Sequence, residues 1–201
     1  MSLNNQAKIL NKNQIIAIRG YLRSRRNGLR NETIFLLSVF SGLRAIEIAS
    51  LSWKHIIKSD GNIDDSISLT NDSSKGKTGG RKIPLQKDLK MNLIDLLEKH
   101  QKLRSFNKET SFIVRTERSP FTSSQSIVNM FHSWYTRLGL LGCSSHSGRR
   151  TFITETSRKI SLVGGSINDI RLLAGHSSLQ TTQRYIDSNS EAQKKVIDLF
   201  N

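Results

Sequence analysis

Arg44, Lys77, His146 with Arg149, His176 and Tyr185 stand in one order along the chain. Together they supply the groups needed to attack a phosphodiester with a phenol and without a metal. Tyr185 lies nine residues beyond His176, after Thr181-Thr182-Gln183-Arg184. A phenol with an ordinary pKa of about 10 must lose its proton as it attacks, and His146 is the candidate base. Two planar guanidinium forks on opposite sides of a phosphate can hold its nonbridging oxygens, and Arg44 and Arg149 form that pair. Arginine stabilisation of this kind is worth on the order of 1,000-fold in rate. The departing oxygen needs a proton, which Lys77 on a glycine-rich hairpin is suited to deliver, with Lys75 and Lys82 as neighbouring rivals. His176 would donate to a phosphate oxygen or position the phenol. Glu47, three residues after Arg44, would orient a cation or form an ordinary helix ion pair. Each residue alone has a commonplace role, as a surface arginine, a solvated histidine or a core tyrosine, so the weight rests on their occurring together.

Charge points the same way. Lysine and arginine number 31 against 16 aspartate and glutamate, a formal charge of +15, and the isoelectric point is about 10.4. A polyanionic partner, double-stranded DNA, is expected. Lys75, Arg81, Lys82, Arg150 and Arg184 are the basic residues expected to meet its phosphates. No basic helix with a broad apolar face stands out, which argues against a membrane surface. No apolar run approaches the length of a membrane span and no hydrophobic signal core opens the chain, so a cytoplasmic, nucleoid-associated protein is expected. Cys143 is the one cysteine, excluding an intrachain disulfide, and its setting suggests packing. The five histidines are scattered, no carboxylate cluster has ligand spacing and no phosphate-binding loop motif occurs. Neither a metal nor another cofactor is expected.

The elements that must position these groups are mostly helical. Ile15, Ile16, Ile18 and Leu22 predict a first amphipathic helix, and 34–40 predict a second that Gly42 ends. A third would carry Leu43 to Ala49, placing Arg44 and Glu47 on one face. Ser66 to Thr70 and Arg81 to Leu85 alternate as strands of an antiparallel hairpin or three-stranded sheet, turning at Gly79-Gly80. Leu89, Leu93, Leu96, Leu97 and Leu103 mark a long helix, and Ile127, Met130, Phe131, Trp134 and Leu138 another. Ser166 to Asp169 has the pattern of a capping box before a short helix ending at Gly175, with His176 just beyond. Residues 189–201 predict a terminal amphipathic helix, docked on its own core or in a neighbouring subunit.

Ser41 to Leu51, Lys77 to Leu85, His146 to Phe152 and Leu172 to Tyr185 resemble, in order, the arginine box, hairpin lysine, His-x-x-Arg box and terminal tyrosine box of the tyrosine recombinases, the phage integrase family. The resemblance implies a mainly α catalytic-domain fold with a small antiparallel β element. It implies cleavage through a 3′-phosphotyrosyl bond to Tyr185, release of a 5′-hydroxyl and religation without a cofactor. It also implies a homotetramer on synapsed DNA, a monomer when free, and accessory proteins that bend the DNA. Two departures stand out: Gly148 replaces a usual bulky apolar residue, which should loosen packing, and Arg150 replaces a common histidine. No counterpart of the family's N-terminal clamp domain is expected within 1–201, whether this is a fragment or a naturally short protein, so 1–201 is read as one catalytic domain with a core of 10–188, binding isolated sites weakly and salt-sensitively. A silent DNA-binding regulator of recombination sites and a tyrosine-type topoisomerase are the alternatives.

Overall fold

Residues 31–39 are buried without a break, and they lie on helix α2 (Gly28–Ser41) of the computed structural model, which describes residues 6–70 and 80–185. An element buried all round must be enclosed by others. Helices α1 (Lys12–Arg23), α4 (Lys87–Gln101) and α6 (Ser147–Lys159) pack against α2, while α3 (Ala45–Ser50) packs against α5 (Ser124–Arg137). Helices α7 (Ile167–Ala174) and α8 (Leu179–Gln183) complete the chain to Tyr185. The main core includes Ile18, Leu22, Phe35, Leu36, Trp53, Leu93, Ile113 and Phe131, each fully buried. Each such side chain contributes roughly 1.5–3 kcal/mol through burial.

The ends of the helices follow local chemistry. Asn11 opens α1 by accepting from the Gln14 amide, and the Gln14 side chain accepts in return from the Asn11 amide. Ser166 and Asp169 form the predicted capping box of α7. Gly42 closes α2 at φ 63°, as the sequence predicts. The apolar stripes are core as expected, with two exceptions. Ile16 is 57% exposed, because it lies two positions from Ile18 and so faces away from it, and Leu103 lies beyond the end of α4.

Among the described residues the sheet has two strands, β1 (Ser66–Leu69) and β2 (Arg81–Pro84), paired antiparallel with Ile67 opposite Ile83. Outside it, the described residues form the isolated bridges Ser52 to Phe112 and Ile57 to Ile63. Residues 71–79, where the sequence predicts part of the turn, and the predicted terminal helix lie outside the described residues.

One buried carboxylate and one glycine bind the helices together. Glu32, buried on α2, accepts from Arg19 Nε at 2.9 Å, Arg23 Nε at 2.6 Å and Asn92 Nδ2 at 3.0 Å, tying α1 and α4 to the central helix. Gly148 lets α6 close on α2, since a β-carbon there would lie 2.4 Å from Ser38 Oγ. The glycine therefore tightens this contact, contrary to the looser packing expected from sequence. On the flank of α1 and α6 is an apolar groove of about 1060 Å³, lined by Ile15, Phe40, Phe152 and Ile160 among others.

His100, on α4, makes stability depend on pH. Its Nδ1 accepts from Trp53 Nε1 at 3.1 Å, and burial, followed by the charges of Arg115 and Lys99, lowers its pKa from 6.5 to about 4. The unfolded chain protonates this group near pH 6.5 and the folded chain only near 4, so its stabilising contribution is complete above pH 6.5 and is lost as pH falls toward 4. Denaturant midpoints measured from pH 7 to 4.5 should fall more steeply for the wild type than for His100→Leu. Parallel slopes would contradict this assignment.

Candidate active site

Arg44 stands at the mouth of α3 as its N-cap, with extended backbone, whereas the sequence reading placed it inside the helix. Glu47, three residues on, reaches back: Oε2 accepts from the Arg44 amide at 2.7 Å and Oε1 from Arg44 NH1 at 3.3 Å. The Glu47 carboxylate is buried while 31% of the Arg44 side chain is exposed, so Arg44 is anchored at one end and open at the other.

His146 is the N-cap of α6 and Arg149 lies in its first turn. Arg149 is only 3% exposed. Its NH1 donates to the Gly42 carbonyl at 2.5 Å and its NH2 to the Ala174 carbonyl at 2.6 Å. Those carbonyls belong to the C-terminal ends of α2 and α7, where the helix dipole leaves partial negative charge. One guanidinium thus joins the start of α6 to the ends of α2 and α7, 107 and 25 residues away along the chain.

Gly175, at φ 62°, ends α7 and sends the chain into His176. His176 is buried, its Nδ1 lies 2.9 Å from Thr182 Oγ1, and its ring stacks on that of Tyr185 with centroids 5.5 Å apart. When the Thr182 hydroxyl donates to Nδ1, Nε2 carries the proton and remains a donor. Tyr185 follows α8 and is half-buried, its carbonyl accepting from Thr154 Oγ1 at 3.3 Å. His146, Arg149, Arg150, Thr181, Arg184 and Tyr185 line one cavity of about 300 Å³.

The field in this region is positive. Burial first, then the charge of Arg44, lowers the Arg149 pKa to about 10, leaving it charged at neutral pH. Burial first, then Arg149 and Arg44, brings His176 down to about 4, so its imidazole is neutral. Burial would raise the Glu47 pKa, but the hydrogen bond and charge of Arg81, together with Arg44, outweigh it and hold the carboxyl below its usual range. A neutral donor among fixed cations is suited to hold an anion without itself taking up a proton.

Arg44, Glu47, His146, Arg149, His176 and Tyr185 are therefore linked through shared contacts or a shared cavity. Lys77 and its rival Lys75 lie outside the described residues. Lys82 is exposed on β2 and Arg184 is exposed at the cavity. Arg150 also lines the cavity, with NH1 donating to the Ala7 carbonyl at 3.1 Å. Arg81 is a correction: expected on the DNA face, its side chain is 10% exposed and its NH1 pairs with Glu47 Oε1 at 2.8 Å. Sequence reasoning also missed Thr182, whose spacing of six from His176 becomes a contact only through the turn into α8.

Comparison with known proteins places this geometry in context. The model of the phage integrase family matches residues 8–192. Tyrosine recombinase XerC of Chlamydia pneumoniae is 29% identical over 174 residues, covering 86% of this chain and 52% of the relative. The chain thus spans about half the length of the relatives it matches. Among solved structures, the XerA recombinase aligns with a TM-score of 0.72 at 19% identity, over 96% of this chain and 65% of that one. The Tn1549 transposon integrase, in complex with a circular intermediate DNA, aligns with a TM-score of 0.77 at 15% identity, over 100% of this chain and 68% of that one. These likenesses establish the fold.

The neutral histidine is directly measurable. An NMR titration of the His176 ring should give a midpoint near 4. A midpoint at the ordinary histidine value would mean that the ring is not held among these cations.

Proposed function

The chain belongs to the phage integrase family, and we propose that it is the catalytic part of a site-specific DNA recombinase that cuts and rejoins strands through Tyr185. The observation that carries this reading is the joining of Arg44, Arg149, His176 and Tyr185 into one charged site by elements distant in sequence.

In the proposed reaction the Tyr185 hydroxyl attacks the scissile phosphorus and its proton passes to His146. The bond from phosphorus to the 5′-oxygen breaks, leaving a 3′-phosphotyrosyl link. Lys77 protonates the departing 5′-oxygen as a general acid. Arg44 and Arg149 hold the nonbridging oxygens as they gain charge, and His176 donates to one of them through Nε2. Because the energy of the broken bond is kept in the phosphotyrosine, a 5′-hydroxyl from a partner strand can reverse the steps and no cofactor is consumed.

The proposal extends to the assembly. Double-stranded DNA is the partner that the +15 charge fits. Four subunits on two synapsed sites would let each strand find its new partner. The segment 189–201, with Ala192, Val196, Leu199 and Phe200 at helical spacing, would seat in a neighbour's apolar groove between α1 and α6.

A nicked duplex of the recombination site, whose cleaved end diffuses away, traps the covalent step. The wild type should accumulate a protein–DNA adduct and Tyr185→Phe none, while Arg44→Ala should slow its formation on the order of 1,000-fold. An adduct that survives Tyr185→Phe would overturn the nucleophile. Relaxation of a supercoiled plasmid without strand exchange would favour a topoisomerase, and binding without any adduct a silent regulator.

A further inference from the structure

Arg81 enters the site from β2 with its side chain nine-tenths buried. NH1 donates to Glu47 Oε1 at 2.8 Å, while Nε and NH2 are buried without a hydrogen-bond partner. Burying a guanidinium with donors unspent costs stability, so an arginine in such a place calls for a physical reason. The Glu47 oxygen that accepts from Arg81 also faces Arg44 NH1, but at the longer distance of 3.3 Å. The other oxygen, Oε2, is committed to the Arg44 amide. Two guanidinium groups thus compete for one carboxylate oxygen, and Arg81 holds the shorter bond.

Resting on the recombinase reading above, we infer that Arg81 is a positioning residue that draws Glu47 away from Arg44 and leaves the Arg44 guanidinium free for the scissile phosphate. A buried carboxylate must be paired. With Arg81 gone, Glu47 would turn to the guanidinium already at its edge, and an arginine readily meets a carboxylate with two parallel donors. Each donor so engaged is lost to the phosphate. Gly175 makes the arrangement sterically possible, since a β-carbon there would lie 2.4 Å from Arg81 NH1. The bare backbone before His176 is the space through which Arg81 reaches Glu47. Arg81 also adds a third guanidinium around one carboxylate, leaving two positive charges uncompensated, a balance suited to a phosphate gaining charge as it is attacked.

The test compares the wild type with Arg81→Met, Arg81→Lys and the double variant Arg81→Met with Glu47→Gln. It reads single-turnover adduct formation at saturating nicked duplex, together with DNA affinity as a function of salt. Arg81→Met should slow adduct formation about 10- to 100-fold, a loss confined to the chemical step. Its affinity should stay within about threefold and its salt dependence should be unchanged, because no phosphate contact is removed. Arg81→Lys should recover part of the rate, since it keeps a cation for Glu47. Removing the Glu47 charge should speed Arg81→Met at least about fivefold, since nothing then captures Arg44. A salt slope lowered by about one in Arg81→Met would mean a direct phosphate contact and overturn the inference. A double variant no faster than Arg81→Met would overturn it too, reducing Arg81 to a strut.

A crystal structure of free Arg81→Met gives a readout that needs no activity. Closure of Glu47 onto Arg44 as a two-pronged pair supports the inference, and an Arg44–Glu47 contact still near 3.3 Å overturns it. A wild type that forms no adduct overturns the recombinase reading alone, and the crystal structure then decides the role of Arg81.

Discussion

Burying a guanidinium among like charges is unfavourable unless donors find acceptors, and Arg149 gives two of its N–H donors to the carbonyl ends of two helices while the others remain for a phosphate. Its bonds to Gly42 and Ala174 fix the end of α2, the end of α7 and the start of α6 relative to one another. Gly42 leads through Leu43 to Arg44, and Ala174 leads through Gly175 to His176. The same two hydrogen bonds therefore set the places of the groups that would surround a phosphate. Removing Arg149 would leave two helix ends without a partner as well as a site without its central cation.

Around this junction the surplus of positive charge is the working feature. Glu47 is the one carboxylate described in direct contact with the cluster, and it meets Arg44 and Arg81 while Arg149 lies within reach of its charge. His176 stays neutral because protonation would add one more cation to a buried group. Its stacking on Tyr185 and its bond to Thr182 link the phenol to the same field. Stability and function are coupled here, since the site is held open by charges that would repel one another without the helix ends and Glu47.

Much of this was legible in the sequence. The apolar spacings of α1, α4 and α5 encode burial directly, and the capping residues of α7 with its glycine stop mark both of its ends. The order of Arg44, His146, Arg149, His176 and Tyr185 carries the candidate site because arginine, histidine and tyrosine side chains have complementary chemical uses at a phosphate. Depth was not legible. Arg81 and Lys82 are adjacent basic residues, yet one is buried against Glu47 and the other is exposed, a difference set by the alternation of β2 and by what α7 and α3 place beside it. Gly148 could not be read as a close contact without knowing that Ser38 lies opposite. The alternation of Ser66 to Thr70 and Arg81 to Leu85 marks the two paired strands and leaves a third open; the pairings near Trp53 and Ile63 are isolated bridges without a ladder to extend them.

The most direct measurement is a crystal structure of Tyr185→Phe on a duplex carrying its recombination site. A single phosphate contacted by Arg44, Arg149 and His176, with the ring of residue 185 facing the same phosphorus, is the predicted result. Arg44 and Arg149 on different phosphates, or Arg149 still bound only to the two helix ends and remote from DNA, would contradict convergence on one reacting centre.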